Sequence, residues 1–277
     1  CSSDLILLQL LTGDYPDLQI LHQRALHQQL DFTRPLRVAA LRLEGIPRLF
    51  RQFPPEQAEA WLQQARRTVR QRLQQQLNQQ GNPFPLVERG NMFLFLLPDE
   101  EGEFYQQKTW LQTWLHALAE GDDGLSLLCG LSAPVQQLQE YQRALSQARQ
   151  ALDLSDSLRP AQRISDYQQL GFLKLLSAVG DPGLLSDFMH DTLGCLIEPD
   201  RKSPWLLMET LETLLQESGN VVRAAERLGI HRNTLHQRIQ RIEKLTRYPV
   251  SHPQFHLNAS VALAIWRMSQ NHLREQP

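Results

Sequence analysis

Gly219-Asn220-Val221-Val222-Arg223-Ala224-Ala225-Glu226-Arg227-Leu228-Gly229-Ile230-His231-Arg232-Asn233-Thr234-Leu235 is the most informative stretch of this chain. Asn220 is a strong N-cap candidate, because its side-chain oxygen can accept a backbone N–H that the first helical turn leaves unpaired. Ala224 and Ala225 are small enough to let another helix cross closely. Leu228 ends the first helix, and Gly229 can take the left-handed conformation that a sharp stop requires. Ile230 then fills the space between helices, and a second helix opens at His231–Arg232. Two short helices set steeply around a glycine turn are the helix-turn-helix plan, here over about 220–246.

The second helix has two faces. Leu235, Ile239, Ile242 and Leu245 recur in steps of three and four and are predicted to face the core. Arg232, Asn233, His236, Gln237, Gln240 and Arg241 lie off that stripe. Arginine suits guanine edges and phosphates, and asparagine and glutamine suit adenine. Thr234, in the first turn, is placed for a phosphate or a thymine methyl. Arg223 and Arg238 complete the candidate DNA-contacting set. Charge agrees. Over 220–247 there are seven cations (Arg223, Arg227, Arg232, Arg238, Arg241, Lys244, Arg247) against Glu226 and Glu243, a local +5 in a chain of net charge −2. Phosphate contact needs a basic patch of this kind. The competing reading is a helical hairpin with a solvated basic face. It leaves the agreement of cap, small pair and Gly-Ile turn unexplained.

Upstream, the hydrophobic period changes. From Asp166 onward strand signals stop, and helices are expected near 167–179, 182–196, 203–217, 221–228, 232–246 and 255–271. Pro160, Asp181-Pro182 and Pro199 punctuate them. Residues 166–277 are therefore expected to form an all-α domain. Before it, Leu36–Leu43 is short, apolar and closed by Glu44-Gly45, as a strand is. Residues 54–80 carry a helical stripe of Ala58, Leu62, Ala65, Val69, Leu73 and Leu77. Phe84–Glu88 and Met92–Leu97 read as strands joined in a tight hairpin at Arg89-Gly90-Asn91. A helix at about 104–119, a strand at Leu125–Leu131 and a helix at Pro134–Leu152 follow. The order β-α-β-β-α-β-α predicts an α+β domain over 31–165. Residues 1–30 read as a helical connector, broken at Gly13–Pro16.

Composition sets exclusions. Cys1, Cys129 and Cys195 are far apart, with no Cys-x-x-Cys or Cys/His cluster, so no metal or cofactor is expected and the thiols are expected to be reduced. No apolar run reaches the length of a membrane span, so no membrane association is expected and the location is expected to be cytoplasmic. The methionines are Met92, Met189, Met208 and Met268, so the chain is expected to begin inside its gene product. His22, His116 and His190 lie near acids, but no spacing marks a catalytic site.

The run Gly219-Asn220-x3-Ala224-Ala225-x2-Leu228-Gly229-Ile230-His231-Arg232-Asn233-Thr234-Leu235-x2-Arg238-Ile239-x2-Ile242 resembles the C-terminal helix-turn-helix of the PucR/CdaR family, regulators of purine and sugar-diacid catabolism. It is more distantly similar to the Fis-type helix-turn-helix. His-Arg-Asn-Thr-Leu is the most specific part. His236-Gln237 departs from the pattern, which commonly has an aromatic residue before the arginine, and this puts the base preference in question. The resemblance extends upstream. Leu8–Leu30 with Asp31-Phe32-Thr33-Arg34-Pro35 resembles the family's connector, and Gly130-Leu131-Ser132 with Tyr141, Ala144 and Ala148 resembles the end of its central domain. That domain is similar to GGDEF nucleotide cyclases. Arg89-Gly90-Asn91-Met92-Phe93 sits where a cyclase carries its Gly-Gly-Asp/Glu-Glu-Phe turn, and the carboxylates that would hold Mg²⁺ are missing.

The resemblance implies a degenerate GGDEF-like sheet domain, an all-α DNA-binding domain, double-stranded DNA as partner and no enzymatic activity. It also implies a small-molecule effector sensed through an N-terminal domain for which this chain has no room. One helix-turn-helix reads few base pairs, so a homodimer is expected. The expected function is sequence-specific regulation of a catabolic operon. The alternatives are a degenerate cyclase-like enzyme, which the missing carboxylates disfavour, and a protein-interaction module, which the exposed Arg232, Asn233 and Gln237 disfavour.

Overall fold

The computed structural model describes residues 2–99, 103–119, 126–158, 163–197, 203 and 205–275. Cys1, Leu125, Pro160 and Pro199, all used in the sequence reading, lie outside them. The chain divides into two compact units, Cys1–Gly171 and Phe172–Gln276.

The first unit is a sheet covered on both faces. Helices α1 (Ser2–Thr12) and α2 (Leu18–His27) precede strand β1 (Leu36–Glu44). Then come α3 (Ile46–Gln52), α4 (Pro55–Gln79), β2 (Val87–Arg89), β3 (Met92–Pro98), α5 (Glu103–Ala119), β4 (Ser126–Leu131), α6 (Tyr141–Leu158) and β5 (Ile164–Asp166). The strand order is β2-β3-β1-β4-β5, antiparallel except for the parallel β4–β5 pair.

Side chains alternate across a strand, and the two cores follow that rule. On one face Val38, Ala40, Leu94 and Leu96 pack with Ile6, Leu7, Leu10 and Leu11 of α1, Leu21 of α2 and Ala144 and Ala148 of α6. On the other, Ala39, Leu41, Phe93, Phe95 and Leu97 pack with Leu62, Leu73 and Leu77 of α4 and Leu111 and Leu115 of α5. Burial on both faces is why Phe93–Leu97 is an unbroken apolar run rather than an alternating one. The 1–30 segment thus contributes to the core of this unit.

One buried charge stands at the start of β1. Arg37 donates from Nε to Asp99 at 2.7 Å, from Nη1 to Asp166 at 3.2 Å and to the Ser132 carbonyl at 3.0 Å, and from Nη2 to Gln168 at 2.7 Å. Two carboxylates and two neutral acceptors compensate a guanidinium that would otherwise be costly to bury. The same contacts tie β5 to the middle of the sheet.

Several elements differ from the sequence expectation. The helix expected at 54–80 is preceded by a separate short helix, α3. The first hairpin strand is Val87–Arg89, not Phe84–Glu88. Asn82 explains the difference. Its Nδ2 donates to the Leu96 carbonyl at 2.7 Å and its Oδ1 accepts from the Phe84 N–H at 2.9 Å, so a side chain occupies the ladder position there. The helix expected at 134–152 is a 3₁₀ turn, Leu138–Glu140, followed by α6. The sheet gains β5, whose Asp166 had been placed in the helical half. The helix expected at 167–179 is a 3₁₀ turn, Tyr167–Leu170, and a five-residue helix α7 (Leu173–Ser177).

The second unit is helical. It contains α7, α8 (Pro182–Leu193), α9 (Leu206–Gln216), α10 (Val221–Leu228), α11 (Arg232–Thr246) and α12 (Pro253–Glu275). Met189, Leu193, Leu207, Met208, Leu211, Ile242, Phe255, Ala259 and Leu263 form its main core. The Glu212 carboxylate of α9 is clasped by the Arg267 guanidinium of α12. A small satellite core of Leu214, Ala224, Ala225, Leu235 and Ile239 joins α9, α10 and α11.

Candidate nucleic-acid interface

The α10–α11 pair is built by local chemistry. Asn220 Oδ1 accepts the N–H groups of Val222 at 3.1 Å and Arg223 at 3.2 Å, starting α10 as predicted. Gly229, at φ +64°, ends it, and the Ile230 N–H donates back to the Ala225 carbonyl at 3.0 Å. This reversal satisfies carbonyls of the last turn that would otherwise lack donors. Ala224 and Ala225 are buried between helices, and Ile230 packs half-buried against the same small core. His231 then caps α11, its Nδ1 accepting the Asn233 N–H at 3.2 Å. Sequence reading placed the helix start there but missed this role, since histidine is not among the strong capping residues.

α11 separates into faces. Leu235, Ile239 and Ile242 are buried, as expected. Leu245 is not: it is 38% exposed, a correction to the predicted stripe. At about 100° per residue its position has drifted off the buried side, which Thr246 occupies more closely. Arg232, Asn233, Thr234, His236, Gln237, Gln240 and Arg241 are all exposed, as is Arg223 on α10. Asn233, Gln237 and Gln240 lie opposite the buried stripe, with His236 and Arg241 flanking them. Lys244, outside the predicted set, is exposed on that same outward side. Its spacing of four from Gln240 was the signal.

Arg227 and Arg238 are engaged within the protein. Arg227 Nη1 lies 2.9 Å from the Glu217 carboxylate. Arg238 is half-buried and donates from Nη1 to Thr210 Oγ1 of α9 at 3.2 Å. It therefore stands apart from the exposed members of the candidate DNA-contacting set to which the sequence assigns it. Of the two acids, Glu243 accepts the Val250 N–H at 3.0 Å. In the first unit, the β2–β3 turn pairs Arg89 with Met92 around Gly90 at φ +63°, and Glu88 faces Arg70 at 3.6 Å. The turn itself carries no carboxylate.

Residues 207–265 match the family described as the PucR C-terminal helix-turn-helix domain, and residues 12–154 match the GGDEF-like domain. The chain thus belongs to the GGDEF-like family and carries a PucR-type helix-turn-helix domain. The chain is also similar, over 86 residues at 31% identity, to the proline-responsive transcriptional activator PutR of Bacillus subtilis (strain 168). That alignment covers 31% of this chain and 21% of PutR, so the chain spans a minor part of the relative's length. Among solved structures, the regulator of polyketide synthase expression from Bifidobacterium adolescentis is similar at a TM-score of 0.36 and 16% identity, covering 99% of each chain. Among the described residues, no helix is long and apolar enough to cross a membrane.

Proposed function

We propose that this PucR-type regulator binds double-stranded DNA in a sequence-specific way, with α11 as the recognition helix in the major groove. One observation carries the reading. The side of α11 facing away from the core presents Asn233, Gln237 and Gln240, groups suited to base edges, together with Lys244, with Arg241 flanking them and Arg232 exposed at the start of the helix. Arg223 on α10 is placed for the phosphate backbone, which fixes register without reading sequence. The protein acts as a homodimer on two half-sites about one helical turn apart, because one such helix reads too few base pairs for a unique address. It acts in the cytoplasm on a catabolic operon, under the control of a small-molecule effector. The GGDEF-like unit is regulatory rather than catalytic, since Arg89-Gly90-Asn91 offers no carboxylate for a phosphate-bound Mg²⁺.

Selection of bound duplexes from a randomised library tests this. The expected product is a two-fold symmetric site whose binding is blocked by methylation of guanine N7 in the major groove. Equal recovery of all sequences would contradict it.

A further inference from the structure

Thr210 is the only buried polar residue of the second unit among the described residues, with no measurable exposure. A buried hydroxyl is costly unless its bonding capacity is used. Its single hydrogen is committed: Oγ1 donates to the Leu206 carbonyl at 2.7 Å within α9. The oxygen can then only accept, and the group it accepts from is Arg238 Nη1 at 3.2 Å. Direction and partner are both fixed by this chemistry. Arg238 lies beside the Leu235–Ile239–Ile242 stripe, on the side of α11 turned toward its own protein.

We propose that Arg238 is a positioning residue that holds the recognition helix against α9 through Thr210, and that it makes no DNA contact. This rests on the reading of α11 as the recognition helix. The three buried side chains of α11 are apolar, and apolar packing is non-directional. The Arg238–Thr210 bond is directional, so it fixes how far along and around its axis α11 sits. Asn233 and Gln237 reach base edges only within narrow distances and angles. Phosphate attraction tolerates shifts of that size. Loss of the strut should therefore cost discrimination while leaving charge-driven binding in place.

The test uses the full chain and a duplex that it selected from a randomised library. T210V removes the acceptor at a site that suits an apolar isostere, and touches no outward group. It should lower the operator-to-random affinity ratio by about three- to tenfold, the range for the net worth of one ordinary hydrogen bond. Affinity for random duplex and the salt slope should stay at the unmutated values. R238K, which keeps the charge, should show the same loss, and T210S, which keeps the hydroxyl, should restore the ratio. A T210V protein with an unchanged ratio, even with a lowered melting temperature, would overturn the proposal. So would R238Q weakening both duplexes equally with a salt slope lower by about one, the signature of a phosphate contact. If the unmutated chain shows no operator preference, it is the reading of α11 itself that fails.

Discussion

His231 Nδ1 accepts the backbone N–H of Asn233 at 3.2 Å, so the residue that starts α11 also pins the backbone beneath the first side chain of its outward face. The bond uses the Nδ1 lone pair, which places the ring proton on Nε2. His231→Ala should cost about 1 kcal/mol of stability in the second unit, the usual loss of a side-chain cap. His231→Asn should restore most of it, since asparagine caps well. Chemical unfolding of the two variants beside the parent measures the difference. Equal stability of the alanine and asparagine variants would show that the cap carries nothing.

The basic patch makes a salt-dependent prediction. Affinity for duplex DNA should fall with a log–log slope of several units, and Arg223→Ala should lower that slope by about one. Arg227→Ala should lower it by less, because Glu217 already holds that guanidinium at 2.9 Å. Binding isotherms at a series of salt concentrations decide the order of the two effects. A flat salt dependence would remove the patch from the interface.

The first unit depends on a close approach. A Cβ added to Gly130 would lie 2.0 Å from the Ala148 carbonyl oxygen and 2.9 Å from the Leu152 Cβ. Both the strand and α6 would have to separate, and the obstructing atom is backbone. Gly130→Ala should therefore destabilise the unit by roughly 3 kcal/mol or more, at the upper end of overpacking costs. Thermal melting of the full chain reads this as an early transition. A variant melting with the parent would mean that α6 does not pack as described.

What was legible in the sequence follows from how local each signal is. The helix-turn-helix is written in short-range chemistry: the Asn220 cap, the Gly229 reversal and the small Ala224–Ala225 pair each act within a few residues. The central sheet showed because Leu36–Leu43 and Met92–Leu97 are apolar enough to be buried from both sides. β5 did not show, because its three residues gain their strand character from pairing with β4 and from the Asp166–Arg37 contact, both distant in sequence. The start of β2 was misplaced for a similar reason, since Asn82 competes with the ladder through a bond to Leu96. Arg238 reads in sequence like the exposed arginines of α11 because its residue type is the same. Only its angular position beside Ile239 and its partner on α9 distinguish it.

The most direct measurement compares operator and random duplex binding by Arg232→Ala and Gln237→Ala, with Leu235→Ala as a packing control and melting curves for all three. Leu235 is fully buried, so its truncation should cost about 2–5 kcal/mol of stability. The two surface changes should leave folding intact, relax the preference at one or two base pairs, and lower the operator-to-random ratio by the equivalent of about 1–3 kcal/mol each. An unchanged ratio in both, with folding intact, would contradict the assignment of α11 as the element that reads DNA.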